Sequence, residues 1–335
     1  MQRFKLWKLP ALARDNVIRQ MVPADVIHLA LVSKSFRQFL MRFKLHATLV
    51  CWFVTSTSMD ISIEFDEDRK RKVDFQFGYS KGYYNPKTIK PIKESGFFFN
   101  FVAGETFFVM NPDGSPSSFL GIEKMSKLLL DILSVTKYEV DLDKPLINFA
   151  DSDFFIWRTT RKFHAFTLIT DDSMDTMENL NFLFEAIQTE TLFTNIRIRN
   201  RHFEDPVEIS HRSNFPLNMS NELHLLRCNW LSIGNLLEAK AKTIWVYYVT
   251  TVLPDDAIKI LKSWMNGTKL KEMTDMRVGP FSSEEEVMEQ VDTLNGVSRY
   301  NHPYATDDDR QMKRVTDGKV AVFHFFSEIL TIRVS

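Results

Sequence analysis

The stretch LPALARDNVIRQMVPADVIHLALVSKSFRQFLMRFKL, residues 9–45, decides how this chain begins to fold. Pro10 and Pro23 divide it. Around them apolar residues recur at helical spacing: Val17, Ile18 and Met21, then Val26, Ile27, Leu29 and Ala30, then Val32, Phe36, Phe39, Leu40 and Phe43. Intervals of three and four place such residues on one face of a helix, so residues 4–45 are expected to form short helices. Ser33 is positioned to cap the last of them, because its hydroxyl can accept from a free first-turn amide. Of the 42 residues from Phe4 to Leu45, 24 are apolar, against 44% for the whole chain. A piece of about 40 residues buries too little surface to stabilise itself. Its surplus apolar area must be covered by the rest of the chain or by another protein.

Beyond residue 45 the period changes to two. Leu49–Thr55, Ile61–Phe65 and Lys72–Tyr79 are expected strands, the last alternating through Val73, Phe75, Phe77 and Tyr79. Phe97–Val102 and Thr106–Met110 flank a hairpin turn at Ala103-Gly104-Glu105. Ser80 to Gly96, with Gly82, Pro86 and Pro91, is expected to be a loop, and Gly121–Thr136 an amphipathic helix. From about residue 160 strands and helices alternate. The expected strands are Phe163–Ile169, Thr194–Arg199, Glu222–Leu226, Thr243–Val249 and Lys271–Val278. The expected helices are Met174–Thr189, Ile233–Lys240, Pro254–Met265 and Ser282–Thr293, and a hairpin of Val320–Phe326 and Ile329–Val334 ends the chain. Asn266-Gly267 should close the third of these helices, since glycine takes the left-handed conformation a helix end requires. Units of this length imply parallel pairing through helical crossovers.

The expected class is therefore α+β / α/β. A three-helix unit at 4–45 is followed by a strand-rich region with one helix at 46–160 and an alternating strand–helix domain at 161–335. The last is compatible with a leucine-rich-repeat-like curved sheet, although the period is too loose to establish one.

Charged residues make up 25% of the chain, an ordinary globular share. The net charge of −1 lacks the basic surplus of a dedicated nucleic-acid binder. Arg69-Lys70-Arg71-Lys72 follows Glu64, Asp66, Glu67 and Asp68 and is read as a solvated turn. Cys51 and Cys228 lie far apart in apolar or aromatic surroundings. That argues against a disulfide framework or zinc site and for a reducing, intracellular setting, cytoplasmic or nuclear. Residues 1–10 lack a secretory signal, and the longest apolar stretch, Leu45 to Val54, is half the length needed to cross a bilayer. No GxxxxGK[ST], GxGxxG, HExxH or GxSxG pattern occurs, and the histidines are scattered. Asp171-Asp172 suits a helix start and Asp307-Asp308-Asp309 an exposed loop. No catalytic residue, metal or cofactor is expected.

Taken in order, Leu9-Pro10, Val17-Ile18 with Met21, Pro23-x-Asp25-Val26-Ile27-x-Leu29 and Leu31-Val32-Ser33-Lys34-x-Phe36-Arg37 resemble the F-box. The common form has an acidic residue after the Leu-Pro pair, where Ala11 stands here. The resemblance implies three helices whose exposed apolar face packs against a Skp-type adaptor, itself seated on a cullin. The contact residues it implies are Leu9, Pro10, Ile18, Met21, Val32, Ser33 and Phe36.

A second resemblance covers roughly residues 193–278. Trp230-Leu231-Ser232-Ile233-x-x-Leu236-Leu237 and Lys259-Ile260-Leu261-Lys262-Ser263-Trp264-Met265-Asn266-Gly267 are similar to elements of the type-2 F-box-associated domain of nematode-type F-box proteins. That family usually shows Asn where Ile258 stands and Phe where Ile260 stands. Thr316 to Val334 resembles its closing hairpin, and Trp230 and Trp264 are expected to be core residues. Together the resemblances imply a non-catalytic substrate receptor of an SCF-type ubiquitin ligase with a target protein yet to be named, or else an interaction scaffold without ubiquitin transfer.

Overall fold

The computed structural model describes residues 8–54, 59–67, 71–77, 98–102, 106–110, 119–143, 154–169, 177–195, 216–228, 230–302, 306 and 309–335. The chain divides into two compact units, Met1–Asp143 and Lys144–Ser335. The fold is α+β: three N-terminal helices, then strand-rich mixed sheet with helices.

The first unit opens with α1 (Ala11–Gln20), α2 (Pro23–Val32) and α3 (Lys34–Phe43). Pro10 precedes α1 and Pro23 begins α2, positions where the missing N–H costs no helical hydrogen bond. There follow β1 (Leu45–Val54), β2 (Met59–Glu64), β3 (Lys72–Phe77), β4 (Phe98–Val102), β5 (Thr106–Met110), α4 (Phe119–Ile132) and β6 (Leu133–Asp143). Their spatial order is β6-β1-β2-β3-β5-β4. The first three strands form an antiparallel meander, and β4 and β5 form the expected antiparallel pair. Its turn at 103–105 and the loop at 80–96 lie outside the described residues.

The helix expected over Gly121–Thr136 stops at Ile132, and β6 was not anticipated. Leu133 and Thr136 prolong the helical spacing in sequence, which hides the change. In the fold, nine residues of β6 find parallel partners on β1, from Leu45 opposite Leu133 to Val54 opposite Leu142. The ladder outweighs local helical preference.

One row across this sheet forms the floor of the unit. Trp52, Ile61, Phe75 and Phe107 are cross-strand neighbours, all fully buried. Phe75 and Phe107 stack with centroids 4.8 Å apart. Trp52 Nε1 donates to Ser126 Oγ of α4 at 2.9 Å, so the buried indole keeps a partner. Each such side chain contributes roughly 1.5–3 kcal/mol by leaving water.

The second unit contains α5 (Phe155–Thr159), β7 (Lys162–Ile169), α6 (Met177–Ala186), β8 (Gln188–Asn195), β9 (Glu222–Leu226), α7 (Ile233–Leu236) and β10 (Thr243–Val252). It continues with α8 (Pro254–Met265), β11 (Asp275–Phe281), α9 (Glu284–Val291), β12 (Val297–Arg299), β13 (Arg310–Lys313), β14 (Val320–Phe326) and β15 (Ile329–Val334). The order is β12-β13-β14-β15-β11-β10-β9-β8-β7. Strands β7 to β11 are parallel and adjacent in sequence order, as the alternating pattern implied.

Several boundaries move. Residues 188–193, divided in the sequence between a helix and its loop, are the start of β8, where Thr189 and Thr191 favour a pleated strand. The helix expected to reach Lys240 closes after Leu236. The strand expected from Lys271 starts at Asp275, because Leu270 takes a φ of 55° and Met273 N–H turns back to its carbonyl. Strands β12 and β13 were not anticipated. Helix α8 and the closing hairpin fall where expected. Gly267 ends α8 with φ 66°, and a side chain there would collide with Thr316. Trp230 and Trp264 are fully buried.

Candidate functional site

Contacts among the helices themselves hold the helical segment together. Ser33 Oγ accepts from Phe36 N–H at 3.3 Å, capping α3. One turn further, Arg37 Nε donates to the Ala30 carbonyl at 3.0 Å and Nη2 to the Leu31 carbonyl at 3.2 Å. Those carbonyls belong to the last turn of α2, where a cation also meets the negative end of the helix dipole. Ser33 and Arg37 thus fix the angle between α2 and α3. Arg14 lies over Phe39 at 4.7 Å and Arg19 over Phe43 at 5.2 Å, which ties α1 to α3.

The inner face of these helices is sealed by the same unit. Val26, Ile27, Ala30 and Leu31 of α2 are buried, and His28 meets Phe107 edge-on at 6.3 Å. Arg71 Nη2 reaches the Met21 carbonyl at 3.4 Å, and Lys44 Nζ donates to the Asp131 carbonyl at 2.6 Å at the end of α4.

The outer face is different. Exposed large apolar side chains include Leu12 (81%), Val22 (48%), Leu29 (37%), Val32 (44%) and Met41 (43%). Those five, of eight such residues among those described, fall within residues 11–43, about a tenth of the chain. Val22, Asp25, Leu29 and Val32 follow intervals of three, four and three, so they form one stripe along α2.

The residues singled out from the sequence divide between these faces. Pro10 and Val32 are exposed, while Leu9, Met21 and Ser33 are half-buried near the helix ends. Ile18 (0% exposed) and Phe36 (3%) lie in the interior and offer no area to a partner in this arrangement. Both serve the interior of the helical segment, a correction to their expected place on the surface. Leu12, Leu29 and Met41 were not singled out. The helical spacing of Val22, Leu29 and Val32 carries the signal for part of this stripe, but helical periodicity alone does not tell an inward stripe from an outward one.

Among the described residues, no three or more His, Cys, Asp or Glu side chains gather as a metal site, and no helix is long and apolar enough to cross a membrane. Burial pushes the thiols of the free cysteines Cys51 and Cys228 well above the ordinary range, so neither is a ready nucleophile.

Three short helices with a sealed inner face and an apolar outer stripe define a helical docking module. The family model for the F-box domain matches residues 6–48, which span all three helices and the start of β1. No curated protein and no solved structure matches the chain. The F-box domain points to an SCF-type role, in which the helices bind a Skp-type adaptor and through it a cullin.

Proposed function

We propose that this protein is the substrate-recognition subunit of a cullin-based SCF-type ubiquitin ligase. It performs no bond chemistry. Its contribution is proximity: a target held near a ubiquitin-conjugating enzyme elsewhere on the scaffold reacts at raised effective concentration. Residues 4–45 dock the adaptor, and the type-2 F-box-associated domain suggested for 161–335 receives the target.

The single observation that carries the adaptor half is the apolar stripe on α2, inside a segment matching the F-box. Leu12, Leu29, Val32 and Met41 join Leu9, Pro10, Met21 and Ser33 as the proposed contact set, with Ile18 and Phe36 supporting them from beneath. Each such aliphatic side chain supplies roughly 1.5–3 kcal/mol on burial, so several of the set must act together to outweigh the freedom lost on association.

The test is co-purification of the full chain with a Skp-type adaptor, repeated with Leu29→Glu and Val32→Glu together. The expected result is loss of the adaptor with an unchanged thermal midpoint. Undiminished recovery of the adaptor would end the proposal. Adding the cullin separates the alternative: a complex that takes up adaptor but excludes cullin is an interaction scaffold, with no ubiquitin transfer.

A further inference from the structure

The parallel sheet of the second unit has two unlike faces. On one, Leu192, Leu223, Ile244, Met276, Ile332 and Phe323 stand in register across six strands, and all are fully buried. One position along each strand, the opposite face carries Phe193, His224, Trp245, Arg277, Thr331 and His324 in the same register. The asymmetry follows from topology. Strands β7 to β11 step across the sheet in one direction, and right-handed crossovers between them all fall on one side. Among the described residues, helices α6, α7 and α8 belong to these crossovers, and that rule places them together on one face.

Side chains on this second face stack along the row. Phe193 and His224 have centroids 6.0 Å apart, His224 and Trp245 4.4 Å, and the Arg277 guanidinium lies 4.4 Å from the Trp245 ring centre. The next row adds Tyr247 and, beyond Gly279 and Ile329, Phe326, which is 74% exposed. The carboxylates here are engaged. Asp275 accepts from Trp245 Nε1 at 2.9 Å and faces Arg333 at 3.4 Å, while Glu222 lies 3.2 Å from His224 Nε2. Arg277 differs: its Nε is buried, and among the described residues it has no carboxylate at ion-pair distance, which leaves only its terminal N–H groups for an incoming acceptor. A guanidinium over an indole, with no carboxylate partner of its own, can turn its two terminal nitrogens to a carboxylate.

We propose that this face is the docking surface for an acidic peptide segment, with a carboxylate on Arg277 and an adjoining apolar side chain on Trp245, Tyr247 and Phe326. Trp, Tyr and Arg are the residue types that carry most of the energy at protein interfaces. The charge balance selects the occupant. One unpaired cation accepts one carboxylate, whereas a nucleic-acid backbone would run its phosphates against Glu222 and Asp275. That the segment belongs to a ubiquitin-ligase target rests on the receptor role proposed above; binding of the peptide itself does not.

The experiment uses the full chain bound to its adaptor and a pool of labelled nonapeptides bearing Asp or Glu next to Leu, Phe or Trp, other positions random. A matched pool carries Asn or Gln for the acids, and an oligothymidylate serves as polyanion. The acidic pool should be retained, and its best members should lose at least about tenfold in affinity, about 1.4 kcal/mol, against Arg277→Gln. Arg277→Lys, which keeps charge but not the planar fork, should fall between and covers the case in which the Gln variant fails to fold. Equal retention of both pools, indifference to both Arg277 variants, or preference for the oligonucleotide overturns the proposal. Adaptor loss with peptide binding intact counts against the receptor role alone; peptide loss with adaptor retained counts against this surface alone.

Discussion

Ser33 and Arg37 act within one helical turn of each other, and their effects belong to stability. Ser33→Ala should lower unfolding free energy by about 1 kcal/mol, read from a shifted denaturation midpoint at unchanged slope. The cap was legible in the sequence, because an N-cap depends on residues three positions apart. The partners of Arg314 were not. Its buried guanidinium lies 5.1 Å from the ring centre of Trp264, donates to the Lys271 carbonyl at 3.0 Å and is held by Asp317 at 2.6 and 2.9 Å. The first two lie some 40 to 50 residues away, and only folding sets them beside it. Hydrogen bonding from Arg314 holds the exposed Asp317 carboxyl down to about 2, from 3.8. Because the folded form has the depressed value, this contribution is present above about pH 4 and is lost as the pH falls towards 2. Asp317→Asn should therefore lower the thermal midpoint at pH 7, and the gap from the parent should close between pH 4 and pH 2. A constant gap across that range would refute the coupling.

At the scale of the element, α1 and α2 show why one apolar pattern can serve two ends. Ile18 is sealed, so Ile18→Ala should cost about 2–5 kcal/mol in a denaturant titration, whatever the adaptor does. Leu29→Glu should leave that titration nearly unchanged and act on adaptor binding. Both residues are aliphatic at helical spacing, and local sequence treats them alike; only the tertiary packing that seals Ile18 and leaves Leu29 exposed separates them. The same division governs boundaries. Helix α8 was readable from end to end because Pro254, Asp255 and Asp256 at its start and Gly267 after it are local signals. The start of β6 had no such punctuation. Leu133 could continue a helix or open a strand, and nine partners on β1 decided for the strand.

For the molecule as a whole, the helical segment covers the first unit's sheet as much as the sheet covers it. Removing residues 1–43 should uncover Phe107 and its neighbours, so the shortened chain should bind a hydrophobic dye strongly and aggregate where the intact chain does not. A truncated chain that stays monomeric and dye-silent would show that the helices are dispensable to that core. What the sequence determined by itself was whatever rests on neighbours within a few positions: the three helices, the Ser33 cap, most strands of the alternating region and the F-box pattern. Tertiary structure alone decided which apolar stripe faces inward, where β6 pairs, and which residues of the parallel sheet stand in one cross-strand row. Those outcomes depend on contacts between residues tens of positions apart and on the hand of the crossovers. Neither is written in the spacing of any single segment.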